Sequence, residues 1–92
     1  MIKGFRHRGL KRLHERDDRS QVGADMLDKI ENILGLLEQA TGPEVMDVPG
    51  FRLHPLKGEL RGFWAVTVRA NWRVVWRFEG ADAMDVDLID YH

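Results

Sequence analysis

Two runs of alternating side chains, separated by a two-residue turn, constrain the fold of this 92-residue chain more than any other feature. In residues 63–69 and again in residues 72–78, large apolar residues occupy every second position. This period of two is typical of β-strands with one buried face. The residues expected on that face are Trp64, Val66, Val68, Trp72, Val74, Trp76 and Phe78. Ala70-Asn71 lies between the runs, and because Asn tolerates positive φ the pattern predicts an antiparallel hairpin.

Residues 24–40 predict an amphipathic helix, because their apolar residues recur at the i, i+3, i+4, i+7 spacing of one helix face. These residues are Met26, Leu27, Ile30, Ile33, Leu34 and Leu37. Thr41-Gly42-Pro43 predicts the end of the helix. A shorter surface helix is predicted over residues 8–16, where Leu10 and Leu13 stand at helical spacing among cations.

The remaining elements complete an α+β prediction. Residues 2–5 predict a short first strand, and residues 83–91 predict a last strand after a turn at residues 79–82. This order of elements predicts helices on one face of a sheet: first a strand, then two helices, then a series of antiparallel strands. The opposite face is then expected to be an open cationic floor that includes Arg69, Arg73 and Arg77.

Length and composition are typical of one small domain, so residues 1–92 are expected to fold as a single unit. The absence of cysteine excludes disulfides and thiolate metal sites, and it suits a reducing compartment. No apolar run reaches the length of a signal peptide or a membrane span. We therefore expect a soluble cytoplasmic protein.

The net charge of −1 conceals strong segregation of charge along the chain. Residues 1–19 hold seven cations against three acids, and residues 51–78 hold six against one. Residues 20–50 hold one cation against six acids, and residues 79–92 hold five acids without a cation. Local positive fields of this kind attract phosphate, although charged runs also arise on solvated surfaces without a function.

The four histidines are not equivalent. His7 and His14 lie in the basic first segment and are interpreted as a solvated pair, with a metal site as the weaker alternative. His54 precedes Pro55, which restricts it to extended geometry in a rigid strand-to-loop segment. Alone, a loop histidine such as His54, or a final histidine such as His92, is more often structural or solvated.

Together, these residues suit RNA cleavage in which the 2′-hydroxyl attacks the adjacent phosphorus. Histidine fits the two proton transfers because its ordinary pKa is near neutrality. Arginine and lysine stabilise charge that develops on the phosphoryl oxygens, and tyrosine stacks on a base or donates a hydrogen bond. The residues available for these roles are His54, Lys57, Arg69, Arg73, Tyr91 and His92. The chemistry alone leaves this as one interpretation among several.

Three motifs closely resemble those of the HigB toxins of the RelE/ParE superfamily. They are His54-Pro55-Leu56-Lys57-Gly58, Val66-Thr67-Val68-Arg69-Ala70-Asn71-Trp72-Arg73 and Asp90-Tyr91-His92. Residues 1–10 look like the same family's N-terminus, so the resemblance covers essentially the whole chain. It is weakest over residues 15–50, where only the helical pattern matches.

The resemblance implies a microbial-ribonuclease-like fold, with two N-terminal helices packed on a twisted antiparallel sheet. It implies a toxin that cleaves messenger RNA in the ribosomal A site without a metal or cofactor, leaving a 2′,3′-cyclic phosphate and a 5′-hydroxyl. The implied partners are a HigA-like helix-turn-helix antitoxin, the 70S ribosome and its mRNA. Operator DNA would be bound only through the antitoxin complex.

Position by position, the resemblance implies two groups of site residues. The catalytic group is His54, Asp90, Tyr91 and His92, and the phosphate-binding group is Lys57, Arg69, Asn71 and Arg73. His92 is taken as the base and His54 as the acid, while Asp90 would orient a neighbouring imidazole. Asn71 serves equally well as a turn residue alone.

Two other functions stay open at this point. A ParE-like toxin of the same superfamily would inhibit DNA gyrase, and it would not need paired histidines beside cations. A pure binding module, which only helps an antitoxin grip DNA, would not depend on His92 at all. Inhibition of gyrase supercoiling would favour the first, and growth arrest that survives His92→Gln would favour the second.

Overall fold

The computed structural model describes residues 1–91 and confirms the α+β architecture. Its helices are α1 (Arg8–Arg16) and α2 (Leu27–Gln39). Its strands are β1 (His54–Pro55), β2 (Phe63–Arg69), β3 (Trp72–Glu79) and β4 (Asp82–Asp90). The strands form one antiparallel sheet in the order β1-β2-β3-β4, and short 3₁₀ turns lie at Pro43–Met46 and Gly58–Leu60.

The segment expected to be a first strand instead makes two isolated parallel bridges to β4. Ile2 pairs with Ala83, and Phe5 pairs with Val86. The Lys3 amide donates to the Ala83 carbonyl at 2.9 Å, so the segment extends the hydrogen bonding of the sheet. Residues 2–6 therefore cover the outer edge of the first half of β4, from Ala83 to Val86.

The main core lies between the helices and one face of the sheet. From α2 it receives Leu27, Ile30, Ile33, Leu34 and Leu37, and from the sheet Val66, Val68, Val74, Trp76 and Val86. Except for Val86, these residues are those that the two periodicities predict, because removal of apolar side chains from water drives the packing. Trp72, predicted on the same face, is instead 36% exposed at the start of β3. α2 begins at Leu27 rather than at residue 24, since the Met26 amide closes a turn onto the Gly23 carbonyl.

The opposite side of the sheet, here called the distal face, carries Ala65, Thr67, Arg73 and Val75. It holds a second apolar cluster, in which Leu56, Phe63, Ala65 and Val75 are buried. Residues 56–60 cover this part of the sheet. The prediction of an open cationic floor was therefore wrong, because alternation alone does not show which segment returns to cover a strand.

His7 and His14 both have structural roles, so their interpretation as a solvated pair was wrong. The His7 Nδ1 accepts a hydrogen bond from the Leu10 amide at 3.1 Å and caps α1. The His14 Nε2 lies 2.9 Å from the Glu38 Oε1 and joins α1 to α2. Within residues 1–91, neither helix has the length and apolar character that crossing a membrane requires.

Candidate active site

His54 lies on edge strand β1, where its ring has one hydrogen bond. The His54 Nδ1 is 2.9 Å from the Arg52 carbonyl oxygen. Because a carbonyl only accepts, Nδ1 carries the hydrogen and the neutral ring presents its lone pair at Nε2. No side chain or backbone group of residues 1–91 bonds that Nε2. His54 can therefore exchange a proton with a ligand through Nε2.

Strand pairing brings His54 and Arg73 to the same face of the sheet. His54 pairs with Ala65, and Arg73 pairs with Thr67 two residues further along β2. Cross-strand partners share a face, so both side chains lie on the distal face. Their strands are two spacings apart, about 10 Å, which long side chains can span toward one phosphodiester.

Arg73 is fixed to the hairpin and keeps hydrogen-bonding capacity. Its Nη1 donates to the Ala70 carbonyl at 2.7 Å and to the Trp72 carbonyl at 3.2 Å. Its Nε is buried without a hydrogen-bond partner among residues 1–91, and so is the Thr67 Oγ1. A guanidinium held in this way suits an anion, because its remaining donors are already oriented.

Arg69 does not join Arg73 on the distal face. A register shift between Thr67 and Arg69 makes Arg69 the cross-strand partner of Trp72, which lies on the helix side. There the Arg69 Nη1 donates to the Asp25 Oδ2. The bulge re-aims the side chain, as bulges commonly do, and period-two counting does not predict it. The placement of Arg69 beside Arg73 was therefore wrong.

Arg77 does lie on the distal face, yet it is neutralised there. Its Nε donates to the Asp85 Oδ2 at 2.7 Å, and its Nη1 donates to the Glu79 Oε2 at 3.2 Å. The Asp85 carboxylate, followed by Glu79, raises the pKa of Arg77 further above its ordinary value. Arg77 is a structural cation rather than a free phosphate ligand.

The hairpin turn has the predicted position, but its strained residue differs from the expected one. Ala70, with φ 50°, adopts the left-handed conformation expected of Asn71. The Asn71 carbonyl accepts a hydrogen bond from the Tyr91 amide at 2.8 Å. The turn is thereby joined to the end of β4, and the Asn71 side chain stays exposed.

The end of β4 contributes residues to both faces. Asp90 pairs with Trp72, and strand alternation directs it to the helix side. The same alternation directs Tyr91, which is 43% exposed, to the distal face. His92 lies outside the described residues, so its predicted role stays a prediction.

Lys57 follows the site histidine on the segment that covers the second cluster. Leu56 is buried there, and its amide donates to the Phe63 carbonyl at 2.9 Å. Lys57 itself is exposed and forms no ion pair with residues 1–91. A buried neighbour and a backbone hydrogen bond therefore position a free cation near His54.

The structure adds residues that the sequence did not single out. The sequence predicted Thr67 only as a strand residue that alternates with the apolar face. What singles it out is a buried hydroxyl without a hydrogen-bond partner in residues 1–91, which a sequence does not show. Asp25 lies 44 residues from Arg69, so no local pattern links them. Within residues 1–91, no three His, Asp or Glu side chains cluster as a metal site would require.

Comparison with known proteins identifies the family of this chain. A family model described as RelE-like toxin of type II toxin-antitoxin system HigB matches residues 3–92. The protein named endoribonuclease HigB from Proteus vulgaris is 42% identical over 92 residues, the full length of both chains.

Two solved structures share the fold at low sequence identity. YafQ from Escherichia coli strain BL21(DE3) superposes with a TM-score of 0.60 at 14% identity, over 95% of this chain and 89% of that one. The YoeB/ParE toxin from Agrobacterium tumefaciens gives 0.59 at 18% identity, over 100% and 99%. The full-length family match settles the relationship: the chain belongs to the RelE-like HigB toxins of type II toxin-antitoxin systems.

Proposed function

We propose that this chain is an endoribonuclease that acts as a single domain in the cytoplasm and cleaves messenger RNA in the ribosomal A site. The name of the Proteus vulgaris relative supports the activity. The proposal depends on one observation. His54, whose Nε2 has no hydrogen bond within residues 1–91, lies on the same face of the sheet as Arg73. A HigA-like helix-turn-helix antitoxin would neutralise the toxin, and operator DNA would be bound only through that complex.

The chemistry needs no metal. The 2′-hydroxyl attacks the phosphorus, the P–O5′ bond breaks, and the products are a 2′,3′-cyclic phosphate and a 5′-hydroxyl. His54, when protonated, donates from Nε2 to the departing 5′ oxygen, while Nδ1 keeps its hydrogen and donates it to the Arg52 carbonyl. His92 would accept the 2′ proton. Asp90, which pairs with Trp72 and lies on the helix side of β4, would act only through His92 and not on the substrate.

Charge on the phosphoryl oxygens is met by cations that the fold holds in place. Arg73 approaches from the hairpin, and Lys57 approaches from the segment after β1. Such preorganised donors stabilise the transition state more than the substrate. Tyr91, exposed at the same end of the distal face, would stack on a base or bond a phosphate oxygen.

The test compares His54→Gln and Arg73→Gln with Arg77→Gln in cleavage of a translated message, read by primer extension. Arg77 is the matched control, because it shares strand and face with Arg73 but is bound to Asp85 and Glu79. We expect losses of about 10²-fold or more for His54→Gln and for Arg73→Gln. Arg77→Gln should stay within a few-fold of the original chain.

Thermal melting would establish that each variant is folded. A folded His54→Gln protein that still cleaves at the original rate would contradict the proposal. Inhibition of gyrase supercoiling by the purified protein, without message cleavage, would favour a ParE-like function instead.

A further inference from the structure

A second group of cations lies on α1, on the other side of the sheet from His54. The α1 basic face consists of Arg8, Lys11, Arg12 and Arg16, all of them exposed. With Glu15 they line a shallow surface hollow of about 190 Å³. The four cations and one acid give this face a formal charge of +3.

The orientation of α1 is set by what its other face buries. Leu10 and Leu13 enter the main core, and His14 is held by Glu38. The cations then recur at the i, i+3, i+4 and i+8 positions of the solvent side, one helical turn of about 5.4 Å after another. The helix therefore fixes the backbone positions of the four cations relative to one another.

Within residues 1–91 these four cations form no ion pair, whereas five of the ten other lysines and arginines do. None of the four has a carboxylate of residues 1–91 within 4.0 Å, whereas Lys3, Arg6, Arg19, Arg69 and Arg77 each form an ion pair. Arg8 and Arg12, and likewise Arg12 and Arg16, are like-charge pairs at i, i+4, which destabilise a helix. A bound polyanion would relieve that repulsion.

The composition of the face indicates which polyanion it fits. Protein interfaces bury apolar or aromatic residues at their centre, yet the exposed large apolar residues of the described chain are Met1, Val45, Trp72 and Tyr91, none of them on α1. Single strands are held by aromatic stacking, which α1 lacks. Cations without aromatic or apolar neighbours suit the backbone of a double helix.

We propose that the α1 basic face binds the phosphate backbone of double-stranded RNA, independently of sequence. Nine helical residues span about 13 Å, over which one strand of a duplex presents about four phosphates. The choice of RNA rests on the proposed function. The cleaved strand lies on the distal face and the duplex on the helix side, so the protein would bind two RNA segments together.

The experiment measures fluorescence anisotropy of a labelled RNA duplex of about two helical turns, with His54→Gln protein that does not cleave. Arg12→Gln/Arg16→Gln is compared with Lys3→Gln/Arg19→Gln, which removes the same charge from ion-paired sites. We expect the slope of log affinity against log salt to fall by about 2 for the α1 pair. The affinity at moderate salt should fall about tenfold or more, while the control pair stays near the original value.

Equal losses for the two pairs would overturn the proposal, since they would reflect net charge alone. Two further results would overturn it as well. One is tighter binding of a DNA duplex of equal length, and the other is displacement of the RNA by a polyglutamate peptide of equal charge. The binding assay contains no message and needs no cleavage. A failure of the proposed nuclease function would therefore be seen in primer extension and would leave the duplex result unchanged.

Discussion

Two side-chain atoms on the distal face remain without hydrogen bonds after folding. The Thr67 Oγ1 and the Arg73 Nε are buried neighbours across β2 and β3, and residues 1–91 supply neither with a partner. Each unsatisfied buried polar group costs about 1–3 kcal/mol of stability. Such groups are rare in native proteins, and each calls for an explanation. Under the proposed function, the phosphate of the substrate would supply one.

Replacing Thr67 with valine should stabilise the protein and reduce its cleavage of messages. Thr67→Val removes the unsatisfied hydroxyl with little change of shape, so the free energy of unfolding in urea should rise by up to about 1 kcal/mol. Message cleavage should fall, because a phosphate contact is lost. Thr41→Val, at an exposed threonine, is the control and should change neither quantity. Loss of stability in Thr67→Val would show that the hydroxyl is satisfied in solution.

At single positions, the sequence predicted the sheet face of some candidate site residues and missed that of others. Alternation correctly placed Arg73 on the face away from the core, and Pro55 correctly indicated an extended His54. The same rule failed at Arg69, where one bulge reverses the side chain. The turn rule failed as well, because Ala70 rather than Asn71 adopts positive φ.

Among the elements, helices were the most predictable and the shortest strand was the least. α1 has the predicted bounds because both ends are capped locally, by the His7 ring and by Asp17 in the left-handed conformation. β1 has two residues, too few for any periodicity, and it exists because β2 pairs with it. The His14–Glu38 contact, which joins α1 to α2, is one that no local pattern shows.

That contact predicts a pH dependence of stability. The hydrogen bond from His14, opposed by partial burial and aided by the Ile2 amide, lowers the pKa of Glu38 below its ordinary 4.5. A lowered carboxyl pKa contributes stability that is fully present above the ordinary value and is lost as pH falls through the folded value. Glu38→Gln should therefore lose less stability than the original chain on acidification from about pH 6 to pH 3.

Urea unfolding at both pH values measures this difference. Glu44→Gln, at an exposed glutamate of the Pro43–Met46 turn, is the control and should follow the original chain. Identical pH dependence of Glu38→Gln and the original chain would show that Glu38 contributes nothing to acid sensitivity.

For the molecule as a whole, the sheet separates two apolar regions with different tasks. The main core joins both helices to the sheet and includes Leu34. The second cluster is smaller and holds residues 56–60 against the distal face through Leu56. Stability is therefore concentrated on one side, and the positioning of His54 and Lys57 depends on the other.

Truncating one leucine in each region should separate stability from activity. Leu34→Ala should cost about 2–5 kcal/mol in urea unfolding, because it leaves a cavity in the main core. Leu56→Ala should cost less, since the covering segment can relax, yet cleavage should fall about tenfold as Lys57 and His54 lose their fixed positions. Full cleavage by Leu56→Ala would indicate that the second cluster does not position the site.

The bridges of residues 2–6 to β4 restrict how another chain can attach to this sheet. The Lys3, Arg6 and Val86 amides are already engaged along that edge, so an incoming strand cannot pair with them. The opposite border of the sheet is β1, where a peptide could add as a further strand. A peptide bound there would lie directly against His54. The same backbone hydrogen bonds that hold such a peptide would therefore also keep substrate away from the His54 ring.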